Sequence, residues 1–315
     1  MVFRYVIRMC KYLPPILTTK KPMPRWYITE DVFTMKKYLF VLSALVLLAF
    51  SSCKKYAGDP ITKDFNISGA YTALEVSNAF NVTVSDAVDV VTVTVGEKVM
   101  PNVVVEVVDN TLKIYVKPMG NIYGAEMKAI IPYNADLTNV DLSGASKFYS
   151  SYVLEGEKVE VELSGASDFY CDIDAVDVDV DVSGASNFYG DIVAEEIDMN
   201  LSGASDIEGQ VAAEDLDLNL SGASDATLSG LISELKIELT GASNIVKQVV
   251  GGEYALACDH CEGTMSGASN AYIHCDGRIC VDLSGASNLH YTGSGSSSGC
   301  STTTGGSSII GPEHP

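Results

Sequence analysis

An all-β solenoid, a parallel β-helix of short stacked coils, is the fold this 315-residue sequence predicts. Three observations carry the prediction. A tetrapeptide, Ser/Thr-Gly-Ala-Ser, recurs eight times, beginning at Ser143, Ser164, Ser183, Ser202, Ser221, Thr240, Ser266 and Ser284. The starts lie 21, 19, 19, 19, 19, 26 and 18 residues apart. The residues before each copy alternate between apolar and polar side chains, the period-two mark of a half-buried strand. A near-constant spacing with the same turn residues in each copy means one small supersecondary unit stacked on its neighbours. A unit of about 19 residues has no room for a helix and a strand with their turns, whereas two or three short strands fit.

Residues 1–34, with Trp26 and four of the ten prolines, hold no sustained period and read as a misplaced start or dispensable leader. Met35-Lys36-Lys37 then opens a basic, apolar, small-residue pattern over 35–52 that reads as an export signal. Its apolar run, Tyr38 to Phe50, is about thirteen residues, too short for a helix to cross a hydrocarbon core of ~30 Å. The run ends Leu48-Ala49-Phe50-Ser51-Ser52-Cys53-Lys54-Lys55 and resembles a bacterial lipoprotein signal, in which the cysteine is lipidated and becomes the first mature residue. Phe50 stands where Leu is usual. Cys53 is therefore the expected lipidation site, with an ordinary signal peptide and a free Cys53 as the alternative. The expected location is the cell envelope, anchored by lipid to the outer membrane, with the periplasmic or outer side left open.

Beyond Ser52 the chain holds twelve Lys and Arg against thirty-nine Asp and Glu, a net charge near −27. Such a surface repels nucleic-acid phosphates and anionic headgroups and attracts cations and basic partners. Nucleic-acid binding is excluded as an expectation. Residues 53–64 read as a polar tether. From 65 to 138 the pattern becomes strand-like: Phe80 to Val84, Val88 to Val95, Val103 to Val108, Leu112 to Val116 and Met127 to Pro132 are β-branched runs parted by Gly96, Pro101 and Asp109-Asn110.

Residues 139–291 carry the repeats. Positions one and three before the tetrapeptide are mostly apolar, as in Leu163 and Val161 or Leu201 and Met199, and face the core. Positions two and four before it are mostly acidic or Asn, as in Glu162 and Glu160 or Asn200 and Asp198, and face water. The Gly permits positive φ and the Ala fits a tight corner. Two residues past each copy stands an apolar residue, from Phe148, Phe169 and Phe188 to Leu289, which faces inward; the next faces outward. Residues 292–315, rich in Gly, Ser and Thr, read as a flexible tail.

Leu-Ser-Gly-Ala-Ser rungs following a β-rich segment, downstream of a lipoprotein signal, resemble the family described as putative auto-transporter adhesin, head GIN domain, over roughly residues 65–291. The resemblance implies a right-handed β-helix, an exported protein and an adhesin-like role. It brings no catalytic residues.

Four groups of residues are candidates for function. The outward column Tyr149, Tyr170 and Tyr189 offers flat apolar rings with polar tips, suited to stacking on sugar rings or anchoring a protein. The alternative is that the rings merely support adjacent rungs. The outward carboxylates Asp141, Glu162, Asp181 and Glu238, interrupted by Asn200 and Asn219, form a solvated acidic row. Ca²⁺ would relieve its repulsion, but the repeats lack the Gly-Gly-x-Gly-x-Asp register of calcium-binding rolls. Cys258, Cys261, Cys275 and Cys280 crowd into two rungs, where the 26-residue spacing marks an inserted loop. In an exported chain they read first as disulfides, such as Cys258 with Cys275 and Cys261 with Cys280. The alternative is zinc, held with His260 and His274. Finally, histidines 260, 274 and 290 show no nucleophile–base spacing, and lysines are sparse, which argues against a β-helical polysaccharide enzyme. The expected function is recognition of a glycan or an envelope protein by an exposed face. A purely structural envelope role is its rival.

Overall fold

The computed structural model describes residues 57–119 and 126–312. Residues 35–52, expected to be an export signal, and Cys53, the expected lipidation site, lie outside them. Among the described residues the structure is nearly all β, with one helical turn of 3-10 type at Met100–Asn102.

From residue 139 onward the chain winds as a parallel solenoid whose coils repeat three short strand segments. The first segment leads into the tetrapeptide, as in residues 160–163 of Leu154–Leu163; the second follows it, as in Asp168–Tyr170; the third begins after a bend, as in residues 173–174 of Ile173–Val182. Each pairs in parallel, without slippage, with its counterpart one coil on. Val161 stands opposite Val180, Phe169 opposite Phe188, and Ile173 opposite Ile192. In Asp206–Leu220 and Asp225–Leu239 the three segments run into one another without a break. Every inward position lines one core. Phe148, Phe169 and Phe188 are stacked inside it with ring centroids 5.3 and 4.9 Å apart, and the same column continues through Ile207, Ala226, Ile245, Ala271 and Leu289, all buried.

The tetrapeptide is the corner that joins the first and second faces. Its Gly takes φ between +64° and +84° in all eight copies. A Cβ on Gly184, Gly203, Gly222 or Gly241 would lie 2.5 Å from the carbonyl oxygen of the glycine one coil back, so stacking and backbone shape both demand glycine. The fourth residue, serine in every copy, is wholly buried. In seven copies its hydroxyl donates to the carbonyl of the first residue, as from Ser205 Oγ to Ser202 O at 2.7 Å. A buried hydroxyl needs such a partner.

The segment before residue 139 both continues and closes the stack. Ala73–Val76 and Phe80–Ser85 form a coil that pairs in parallel with Asn139–Leu142 and Lys147–Tyr149 on one side. On the other side it pairs in parallel with Thr111–Val116 and Met127–Pro132. The coil that comes first in sequence is thus second in space. Asn78 and Ala79, at φ +66° and +64°, turn its corner without a glycine. Antiparallel strands then end the parallel ladder: Val91–Gly96 against Met127–Pro132, Pro60–Phe65 against Val91–Gly96, and Val103–Val108 against Thr111–Val116. Two expectations change here. Residues 60–64, read as tether, belong to a strand, because Ile61 and Thr62 find partners in Val95 and Thr94. The core also runs on from Val140 into Leu74 and Leu112 with no break near residue 139.

The tail is not a loose end. Thr304-Gly305-Gly306-Ser307 makes a ninth corner, with Gly305 at φ +73° and Ser307 Oγ donating to Thr304 O at 2.8 Å. Ser308–Ile310 then pairs in parallel with Asn288–Thr292. Its composition suggested flexibility because glycine, serine and threonine carry little apolar signal; what orders it is the corner geometry and a disulfide.

Candidate recognition surface

The second face is three residues wide, and each of its outward positions is a column along the solenoid. Tyr149, Tyr170 and Tyr189 fall in register, because the strands Lys147–Tyr149, Asp168–Tyr170 and Asn187–Tyr189 pair residue for residue. Their rings lie 4.8 Å apart with interplanar angles of 7° and 8°. The coil spacing sets that distance, so the rings stack on one another. The free apolar faces expected from the sequence are therefore covered within the ladder, and the column presents ring edges and hydroxyls at one per coil. Burial holds the phenols of Tyr170 and Tyr189 above their ordinary range, with the Asp168 carboxylate adding to the effect. Thr83 precedes the column, and Glu208 and Thr227 follow it. The same column becomes aromatic again at Tyr272 and His290, stacked at 4.6 Å. Tyr254 meets Tyr272 edge-on at 5.4 Å, with Lys247 Nζ 5.7 and 5.8 Å from the two ring centroids.

Beside the tyrosines runs a second column, the residue after each tetrapeptide, which the sequence shows as Asp or Asn in seven copies and Lys147 in the remaining one. Lys147, Asp168, Asn187, Asp206, Asp225, Asn244, Asn270, Asn288 and Ser308 occupy it. Asn187 Nδ2 donates to Asp168 Oδ1 at 2.7 Å, and Asn244 Nδ2 to Asp225 Oδ1 at 2.7 Å. Asn270 bonds Asn244 and Asn288 bonds Asn270 in turn, and Ser308 closes the row. Lys147 departs from the Asp/Asn pattern because it pairs at 2.5 Å with Asp168, whose side chain is only 12% exposed. The Asp/Asn identity was legible in the sequence; the ladder itself needed those residues to be taken down the column as donors and acceptors between coils.

The first face is acidic. Its row Glu75, Asp141, Glu162, Asp181, Asn200, Asn219 and Glu238 is in register. Burial raises the pKa of Asp141, helped by Glu162 and Glu75; burial likewise raises Asp198, helped by Asp217 and Asp179. Cations relieve part of the repulsion: Lys113 pairs with Glu75, Lys158 with Asp179 at 2.5 Å, and Lys236 with Asp217 at 2.5 Å. A shallow groove of about 390 Å³ runs along this face between Asp181, Asn200, Asn219 and Glu238 on one side and Ser183, Ser202 and Ser221 on the other. Among the described residues no three His, Cys, Asp or Glu side chains converge as for a metal ion.

The 26-residue spacing is indeed an insertion, the hairpin Val249–Val250 and Glu253–Tyr254. Past it, Cys258, Cys261 and Cys275 are buried thiols, while Cys280 is bonded to Cys300. The pairing of Cys261 with Cys280 is therefore wrong. Cys261 stands opposite Ile279 and points inward, and Cys280 stands opposite Glu262 on the other side of the sheet. Zinc fails for a similar reason: Cys258, Cys261 and Cys275 are buried, but His260 is exposed and its Nδ1 accepts the Arg278 N–H at 3.0 Å. His274 is held between Thr292 and Asp276 at 3.1 and 3.3 Å, beside Glu253 at 3.7 Å. Cys171 is buried, donates to Tyr152 O, and its thiol is pushed up to about 11 by burial.

A family model described as "Putative auto-transporter adhesin, head GIN domain" matches residues 70–209 and again 188–295. Solved structures share the fold. A putative adhesin from Parabacteroides merdae superposes with a TM-score of 0.56 at 18% identity, covering 81% of this chain and 97% of that one. A putative adhesin from Parabacteroides distasonis gives 0.54 at 19% identity, with 81% and 95% covered. A protein of the same organism named a putative lipid binding protein gives 0.55 at 19%, with 81% and 98% covered. No curated protein matches.

Proposed function

Since the chain belongs to the putative auto-transporter adhesin, head GIN domain family, we propose that it is an adhesin-like recognition protein of the cell envelope whose second face binds a glycan. One observation carries this reading: a straight column of tyrosine edges and hydroxyls repeated every 4.8 Å. A comb of identical groups at fixed spacing suits a ligand that is itself periodic, and the hydroxyls together with the amide column supply the donors and acceptors that sugar hydroxyls need. The rings' mutual stacking fixes the comb before binding, which lowers the ordering cost of association. The side chains packed on the solenoid axis favour contact at the surface over enclosure of a lipid chain.

The test is a glycan-array screen of the protein, run with Ca²⁺ and again with chelator. We expect saturable binding to one sugar class, reduced at least tenfold in the Tyr149→Ala, Tyr170→Ala, Tyr189→Ala triple variant with its β circular dichroism intact. No binding in either condition would shift the assignment to a protein partner or a structural spacer. Loss with chelator alone would bring the acidic first face into the site.

We propose further that Cys53 is lipidated and holds the solenoid on the outer membrane. The sequence of the export signal supports this. Mass spectrometry of the membrane fraction should find a mature N-terminus at Cys53 carrying acyl chains, and Cys53→Ser should move the protein to the soluble fraction. Retention of Cys53→Ser in the membrane would sink the anchor.

A further inference from the structure

The two ends of the solenoid are finished differently. At the N-terminal end antiparallel strands stop the parallel ladder. At the other end, among the described residues, Ser308–Ile310 pairs on one side only. In a stack where each coil contacts only its neighbours, an unfinished end is where fraying begins. The described cysteines other than Cys171 cluster there.

One inter-coil link is already present. Cys280 and Cys300 are 20 residues apart, with Cα atoms 5.1 Å from each other, and join one coil to the next. Cys258 and Cys275 have the same relation. They stand directly opposite each other on neighbouring parallel strands, Leu256–Met265 and Asn270–Cys275. Both are buried in the core. Adjacent strands lie ~4.8 Å apart, inside the Cα separation of ~4.4–6.8 Å that a disulfide accepts. Cys258 is within hydrogen-bonding reach of both Cys275 and Cys261. Cys261 shares the strand of Cys258 and stands opposite Ile279, with no cysteine across from it.

We infer that Cys258 and Cys275 close a second inter-coil disulfide, so that two consecutive cross-links lock the C-terminal coils, which carry no antiparallel cap among the described residues. Closure removes two protons and two electrons from the two thiols. A small-molecule or protein disulfide accepts them and leaves as two thiols. The exchange takes place during folding, before the core covers these sulfurs. Once buried, the two thiols are held well above the ordinary thiol range: Cys258 chiefly by its hydrogen bond with Cys261, Cys275 by its bond with Cys258 and by burial. In that state they form too little thiolate to react. Cys261 remains a buried thiol against the bond.

The full chain is refolded from the reduced, denatured state in a buffer of glutathione and glutathione disulfide, alkylated in denaturant, and cut after Lys, Arg and Glu. Cleavage after Glu253, Glu262 and Arg278 separates peptide 254–262, with Cys258 and Cys261, from 263–278, with Cys275. The expected product is these two peptides joined, carrying one alkyl group, and the same junction in Cys261→Ser. Three alkylated cysteines would overturn the inference. So would a bond confined to 254–262, or a junction lost in Cys261→Ser, since each would leave Cys258 and Cys275 unlinked.

Discussion

At Gly203 the backbone sits at φ +84°, and a Cβ would lie 2.5 Å from the Gly184 carbonyl oxygen. Gly203→Ala therefore meets strain of ~1–3 kcal/mol from the backbone, and the carbonyl it strikes belongs to another corner that cannot swing aside. We expect a loss of at least ~2 kcal/mol in denaturant unfolding. Gly251, in the inserted hairpin, has φ +65° but nothing within 4 Å of a built Cβ, so Gly251→Ala should cost only the ~1–2 kcal/mol of the backbone conformation. The corner glycines were legible in the sequence, because glycine at a fixed place in a repeat has few other meanings. The fourth serine was legible as a turn residue only; its full burial depends on the coil behind it. The tyrosines' column and outward direction could be read by counting from the tetrapeptide. The stacking of their faces could not, since it follows from the spacing between coils.

The coil is the element that the sequence shows best, and the places where it failed to show are those without apolar alternation. The ninth corner, Thr304-Gly305-Gly306-Ser307, keeps the hydroxyl, the glycine and the final serine but loses the alanine and the apolar run before it. The strands between residues 73 and 132 were readable one by one, whereas their order in space was not, because parallel and antiparallel partners have the same alternation. The inserted hairpin offers a test at this scale. Val246 and Lys247 lead out of the second face, and Leu256 resumes the third. Removing residues 248–254 restores the 19-residue spacing of the preceding coils. We expect this deletion to fold, with an unchanged β spectrum and a melting temperature within about 5 °C of the parent, since the hairpin's strands form a ladder only with each other and meet the coils through a few side contacts, Tyr254 N–H on Thr292 Oγ1, Tyr254 on Tyr272 and Glu253 beside His274. Loss of folding would mean that the contact of Tyr254 with Tyr272 supports the stack.

Across the whole molecule, in-register stacking turns a net charge of −21 into rows of neighbouring carboxylates. Asp141, Asp198 and Asp206 are all held above the ordinary carboxylate value of 3.8, in each case first by burial and then by flanking acids, whereas Asp276 is held below it by the Ser294 N–H and hydroxyl. A carboxyl whose folded pKa is raised binds protons more readily in the native state than in the unfolded one. Its contribution to stability therefore grows as pH falls through the folded value, and stops growing below the unfolded value. His290, whose imidazole burial holds below its ordinary value of 6.5, works the other way, because the unfolded chain takes that proton first and stability is lost as pH falls through 6.5. In His290→Asn, which removes that opposing titration, the melting temperature should rise as pH is lowered from about 6 toward the ordinary carboxylate value of 3.8. Asp198→Asn should raise stability at pH 7 by ~0.2–1 kcal/mol and flatten that rise. A melting temperature that falls steadily over that range in His290→Asn would contradict the raised values. The order of coils has a consequence for how the chain is made. Residues 73–85 leave the ribosome before both of the coils they lie between, 111–132 and 139–149. The earliest coil to emerge is thus the one whose two edges wait longest for partners. Until residue 149 has arrived it is an open template of β-branched strand, and guarding it falls to whatever binds the growing chain.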